Sequence, residues 1–117
     1  MTYVDGFVIP VPDANRDSYQ KMAKLCAPVF KKHGALSVVE CWADDVPEGK
    51  VTSFPMAVKL AKGESVVFSW ITWPSKEVRE AGNKKAIDEL QGICSEKDVP
   101  FDGKRMIFGG FETIVEA

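Results

Sequence analysis

Three charged residues interrupt segments that otherwise read as apolar strands: Asp5 in "YVDGFVIPV", Glu40 in "ALSVVECWA" and Arg105 in "KRMIFGGFETIVE". A charge on a buried sheet face must be paired or strongly shifted in pKa. Asp5 and Glu40 are therefore the two candidate catalytic residues, as general bases that would take a proton from a small substrate. Arg105 is a candidate ligand-binding residue, a cation that would orient a carboxylate or a carbonyl. If the first and last strands are neighbours, an Asp5–Arg105 ion pair accounts for both charges without any ligand.

Trp42 and Trp70 complete the candidate ligand-binding set. In "VVFSWITW" the odd spacing of Trp70 and Trp73 puts them on opposite faces of a strand. Trp70 shares its face with Val66, Phe68 and Thr72, and Trp73 shares the other with Val67, Ser69 and Ile71. Both cannot line one pocket, so at least one serves the fold. Trp42 shares a face with Glu40 and is expected to meet Trp70 across strands.

Other groups have simpler explanations. His33, the one histidine, sits in "KKHG" at a helix end, where a cation is favourable. It has no nucleophile motif beside it, and a single histidine argues against a two-histidine metal site. "FDGKRMIFGG" is followed by a strand, whereas a phosphate loop opens a helix, so it reads as a turn at Asp102-Gly103. "DDVPEGK" lacks calcium-loop spacing. Cys26, Cys41 and Cys94 are odd in number and without CxxC spacing, so they read as free thiols packed in a reducing cytoplasm. No metal and no cofactor are expected.

These residues need elements to hold them. "YVDGFVIPV" is a first strand closed by Pro10 and Pro12. A helix from Arg16 to about Lys32, capped by Asp13 or Asn15, carries Tyr19, Met22, Ala23, Cys26 and Phe30 on one face. Pro28 should kink it, and Gly34 ends it. Residues 35–43 form a second strand. "FPMAVKLAKGESVVFSWITW" suggests a short strand, a turn at Lys62-Gly63 and a long central strand, 65–73. Ser75 caps a second helix with Val78, Gly82, Ala86, Leu90 and Ile93 in one stripe, ending at about Cys94. Residues 104–116 close the chain as a strand, interrupted at Gly109 and Gly110.

The 117 residues suit one domain, 1–117, with 45% hydrophobic and 27% charged residues. A net charge of −2 with cations and acids interspersed gives no basic stripe for nucleic acid. Apolar runs fall far short of the ~20 residues that span a bilayer, and Asp5 inside the first apolar stretch argues against a signal peptide, so a cytoplasmic location is expected.

Two βαβ units in series give an α+β chain of the split βαβ, ferredoxin-like kind, an antiparallel sheet with two helices on one face. The other face keeps several large apolar side chains. Two such faces packed together in a homodimer would cover them. The segments "YVDGFVIPVP", "DDVPEGKVTSFPMAV", "VVFSWITWPSKEVREAGN" and "VPFDGKRMIFGGFE" resemble the YbaA-like family over nearly the whole chain, with Val99 where methionine is expected. That resemblance implies a dimeric α+β barrel from a bacterial cytoplasm. It implies no established activity and supplies no catalytic residues. The leading expectation is a homodimer enclosing a mostly apolar cavity for a small molecule. Its rivals are a cofactor-independent oxygenase or isomerase, by analogy of fold, and a structural or interaction protein with a packed interior.

Overall fold

The computed structural model describes residues 2–93 and 99–117. Four strands form one antiparallel sheet: β1 (Tyr3–Pro12), β2 (Ser37–Trp42), β3 (Glu64–Trp73) and β4 (Ile107–Glu112). Their spatial order is β2-β3-β1-β4. Two long helices, α1 (Arg16–Lys32) and α3 (Lys76–Gln91), cover one face, and α2 (Phe54–Ala57) is a single turn. The expected α+β class and its ferredoxin-like order are both present.

Register fixes which side chains meet the helices. Asp5 lies opposite Ile71 on β3 and Gly110 on β4, and Glu40 lies opposite Ser69. Partners in register share a face. The helix face therefore carries Tyr3, Asp5, Phe7, Ile9 and Val11 of β1 and Val67, Ser69, Ile71 and Trp73 of β3. Val38, Glu40 and Trp42 of β2 join them. Ile9, Val11, Tyr19 and Val67 form one core cluster, and Ala35, Ile71 and Trp73 form a second. Beyond Val8, β1 has no partner on the β4 side, so Pro10 and Pro12 fall where a missing donor is tolerated.

The helix ends follow from local chemistry. Gly34 has φ +112°, a conformation that suits glycine. Its N–H bonds the Lys31 carbonyl while the Ala35 N–H reaches Phe30, closing α1 as a Schellman motif. Pro28 lies inside α1 without ending it. Asn15 precedes α1, but its side chain donates to the Pro100 carbonyl instead of capping. Ser75 does cap α3, accepting from the Val78 N–H.

Three expectations about elements are corrected. The short strand at residues 54–60 is the helical turn α2: Ser53 accepts from the Met56 N–H and Pro55 favours the first turn. The last strand spans only 107–112, so Arg105 lies before it, in a turn. α3 ends at Gln91. Cys94 and the segment 95–98 lie outside the described residues.

Among the described residues neither long helix covers the second face of the sheet. It presents Val39 and Cys41 of β2, Val66, Phe68 and Trp70 of β3, Val4 and Val8 of β1, and Ile107 and Phe111 of β4. Phe68 is 45% exposed and Phe111 61%. Phe54 from α2 packs edge-on against Phe68, which in turn lies 5.5 Å from Trp70 between ring centroids.

Candidate functional site

The two strand carboxylates have opposite surroundings. Asp5 is buried, at 5% exposure. Arg79, one turn into α3, reaches it with Nη2 at 2.7 Å from Oδ1 and Nε at 3.0 and 3.1 Å from Oδ1 and Oδ2. The indole N–H of the fully buried Trp73 donates to Oδ2 at 3.0 Å. Arg79 also lies over the Tyr3 ring, 5.4 Å from its centroid. This forked pairing holds the Arg79 guanidinium above its usual pKa. Every contact of Asp5 ties one element to another: β1 to β3 through Trp73, and β1 to α3 through Arg79.

The expected Asp5–Arg105 pair is therefore not formed. Arg105 sits before β4, not within it, and points to other acids. Its Nη1 and Nη2 each lie 2.7 Å from an oxygen of Glu64, its Nε donates to Asp102, and Nη1 also donates to the Lys59 carbonyl. The guanidinium draws the Glu64 and Asp102 carboxyls below their ordinary range. Arg105 thus pins the turn before β3 to the turn before β4. His33 likewise joins helices: its Nε2 is 3.1 Å from Oε1 of Glu89 on α3, which Lys32 also reaches.

Glu40 faces a space instead of a second layer of side chains. Between α1 and the edge strand β2 lies an open cleft of about 440 Å³. Its helix wall carries Arg16, Tyr19, Gln20, Ala23, Lys24 and Ala27, and its sheet wall carries Val38, Glu40, Trp42 and Val67. The cause is local. At Ala23 and Ala27 the helix has nothing large to lay over Val38 and Glu40, so the gap between helix and edge strand stays unfilled.

Tyr19 anchors the floor of this cleft. Its ring is packed among Ile9, Val11 and Val67 and edge-on to Phe101. Its hydroxyl donates to Oε1 of Glu40 at 2.6 Å. Ser69, also buried, lies opposite Glu40 on β3. Glu40 is exposed on its cleft side, while the atoms behind it withhold part of its water. That loss of solvation raises its pKa above the ordinary 4.5, while the Tyr19 and Ser69 hydroxyls pull the other way. Burial and the nearby Glu40 charge drive the Tyr19 phenol far upward, so it stays a donor.

At the N-terminal end of α1 the Arg16 guanidinium lies 5.2 Å from the centre of the Trp42 ring. Trp42 therefore belongs to the cleft with Glu40. It does not meet Trp70, which lies across the sheet, opposite Gly6 and Val39 on the uncovered face. Of the residues singled out from sequence, the structure brings Glu40 and Trp42 together and leaves Asp5, Trp70 and Arg105 elsewhere. Tyr19 and Arg16 were missed as polar partners. A tyrosine on the core face of a helix needs a partner for its hydroxyl, and that need was the available signal. Among the described residues no group of three or more His, Cys, Asp or Glu side chains is placed to hold a metal ion. No helix among them is long and apolar enough to cross a membrane.

Comparison with known proteins places this arrangement in a family. The family model for a protein of unknown function, DUF1428, matches residues 2–103. The chain is 57% identical over 116 residues to the uncharacterized protein YbaA of Escherichia coli strain K12, covering 99% of each. The same figures hold for the uncharacterized protein YbaA of Shigella flexneri. Among solved structures, a de novo designed protein, Foldit4, is similar at a TM-score of 0.50 and 13% identity, over 97% of this chain and 99% of that one. That likeness speaks for the fold alone. The resemblance read from the sequence holds along nearly the whole chain, and the chain belongs to the DUF1428 family.

Proposed function

We propose that this protein is a cytoplasmic homodimer that binds a small organic molecule in the cleft between α1 and β2. The observation that carries the reading is the cleft itself. It has an apolar wall and a few polar groups, Glu40, Tyr19 and Arg16, converging on one space, and its volume falls in the range of small-molecule sites. The homodimer rests on the uncovered sheet face, where Phe68, Ile107 and Phe111 keep 45–61% of their area in solvent. A second copy laid on that face would bury them.

A proton-transfer role, of the isomerase or cofactor-independent oxygenase kind, draws support from one observation. Glu40 is a carboxylate of raised pKa, reachable from the cleft and held in place by the Tyr19 hydroxyl. In that reading Glu40 is the general base. Asp5 serves the fold, since Arg79 and Trp73 already occupy its oxygens.

The test is a thermal-shift screen of small metabolites on the purified protein, with its mass in solution measured alongside. A concentration-dependent rise in melting temperature that disappears in Trp42→Ala supports the cleft as the site. No rise from a broad panel, with or without a dimeric mass, sinks the binding reading. A monomeric mass sinks the homodimer.

A further inference from the structure

The charges around the cleft point to the class of ligand it holds, an inference that rests on the cleft being a binding site. Arg16 and Lys24 line it from the helix side and Glu40 from the sheet side. Among the described residues neither cation has a carboxylate partner; the ion pairs of the chain lie elsewhere, at Lys32, His33, Arg79 and Arg105. Two positive groups and one negative group leave the empty cleft with one surplus positive charge. A ligand bearing one negative charge restores neutrality.

Position says where that charge goes. The Arg16 guanidinium lies over the Trp42 ring and makes no side-chain hydrogen bond to a described residue. That contact holds the guanidinium at the cleft and leaves its fork of N–H groups for a carboxylate, which it can grip with two parallel bonds. Glu40 repels a carboxylate, so the anionic end belongs at Arg16 and not at the floor. A carboxylate has room for about four hydrogen bonds. Glu40 receives one from Tyr19, leaving capacity for a donor arriving from the cleft.

Glu40 and Trp42 are two residues apart on β2, about 7 Å along the strand. That is close to the length of one aromatic ring carrying a substituent at each end. Ala23, Ala27, Val38 and Val67 offer a smooth apolar surface for the body of such a molecule.

We propose that the cleft takes a small, flat organic monoanion, with its carboxylate on Arg16 and a hydroxyl at its far end donating to Glu40.

Isothermal titration calorimetry with three matched probes tests this: 4-hydroxybenzoate, 4-methoxybenzoate, which lacks the donor, and 4-hydroxybenzamide, which lacks the charge. The expected result is that the hydroxy acid binds about tenfold or more tightly than either analogue, the usual discrimination when a charged group loses its hydrogen-bond partner. Arg16→Gln should erase the preference for acid over amide, and Glu40→Gln the preference for hydroxyl over ether. Arg16 is exposed and Glu40→Gln is isosteric, so both variants keep the fold; their circular dichroism spectra verify it. Equal binding of acid and amide, or a preference that survives Arg16→Gln, overturns the ligand class. If none of the three probes binds while another compound from the metabolite screen does so in a Trp42-dependent way, the class falls and the cleft stands. If nothing binds, both fall.

Discussion

Asp5 and Glu40 are both carboxylates on the helix-facing side of the same sheet, and they have different fates. Asp5 lies on a central strand beneath α3, where Arg79 and Trp73 take up both its oxygens. Glu40 lies on an edge strand beside the small side chains of α1, where the Tyr19 hydroxyl holds it and a cleft remains in front of it. A buried charge whose partners all come from neighbouring elements fastens those elements together. A charge whose partners all sit behind it is oriented for something in front. Exposure follows the same division: Asp5 is buried, whereas Glu40 is exposed to the unfilled space in front of it.

The contrast can be broken by mutation, and the largest effect belongs to Asp5. Asp5→Ala leaves Arg79 without its counter-ion and the Trp73 N–H without an acceptor. It should destabilise the fold by about 3–5 kcal/mol, the usual cost of breaking a buried pair from one side, as read from urea unfolding. An effect below 1 kcal/mol would mean that water replaces the carboxylate and that Asp5 is not a fastener.

Gly82→Ala comes next. A methyl group at Gly82 in α3 would run into the His33 carbonyl and the Trp73 ring, so helix and sheet must part. The expected cost is about 1–3 kcal/mol, with a loss of near-ultraviolet signal from Trp73. A neutral outcome would show that α3 can shift without disturbing the Asp5 bundle.

On the cleft side the costs are smaller. Tyr19→Phe keeps the packed ring and removes one hydrogen bond, for about 0.5–1.5 kcal/mol. Because the hydroxyl holds the Glu40 pKa down, its removal should raise that pKa further. Carboxyl titration followed by carbon NMR would detect the change, and an unmoved Glu40 would mean that the Tyr19 bond is not maintained in solution.

The smallest effect is the pH dependence of Glu40→Gln. The folded Glu40 binds its proton more tightly than the unfolded chain, whose ordinary value is 4.5. Its contribution is therefore neutral well below that value and turns unfavourable as pH rises through the raised pKa. Relative to the wild type, Glu40→Gln should gain stability between pH 4 and pH 7.5. A difference in melting temperature that stays flat over this range would remove Glu40 from the set of perturbed groups.

Much of this arrangement was legible beforehand. Alternation placed Glu40 with Trp42 and set Trp70 against Trp73 on opposite faces, because a strand's period of two leaves no choice once its ends are known. The Gly34 stop and the Ser75 cap were readable because a few neighbouring residues determine them. What was missed depended on distance in space. Arg79 is one charge among several on a helix, and only the docking of α3 over β1 sends it to Asp5. Arg105 was assigned to a strand that begins two residues later, so its partner was taken from the wrong neighbour. Residues 54–57 carry a short apolar run, which does not distinguish strand from helix; the Ser53 cap decided for the helix. The cleft was also not legible, since it arises from what Ala23 and Ala27 lack.

The place of β1 in the middle of the sheet has a consequence in time. β1 is made first, yet Tyr3 pairs with Trp73 on one side and Glu112 on the other. At synthesis rates of about 5–20 residues per second, roughly 100 residues of waiting separate β1 from β4, or about 5–20 seconds. Over that interval "YVDGFVIPV" first has both edges unsatisfied and then, once β3 is made, one. β3 becomes available to β1 before β4 does, so the edge left open longest is the one that β4 covers.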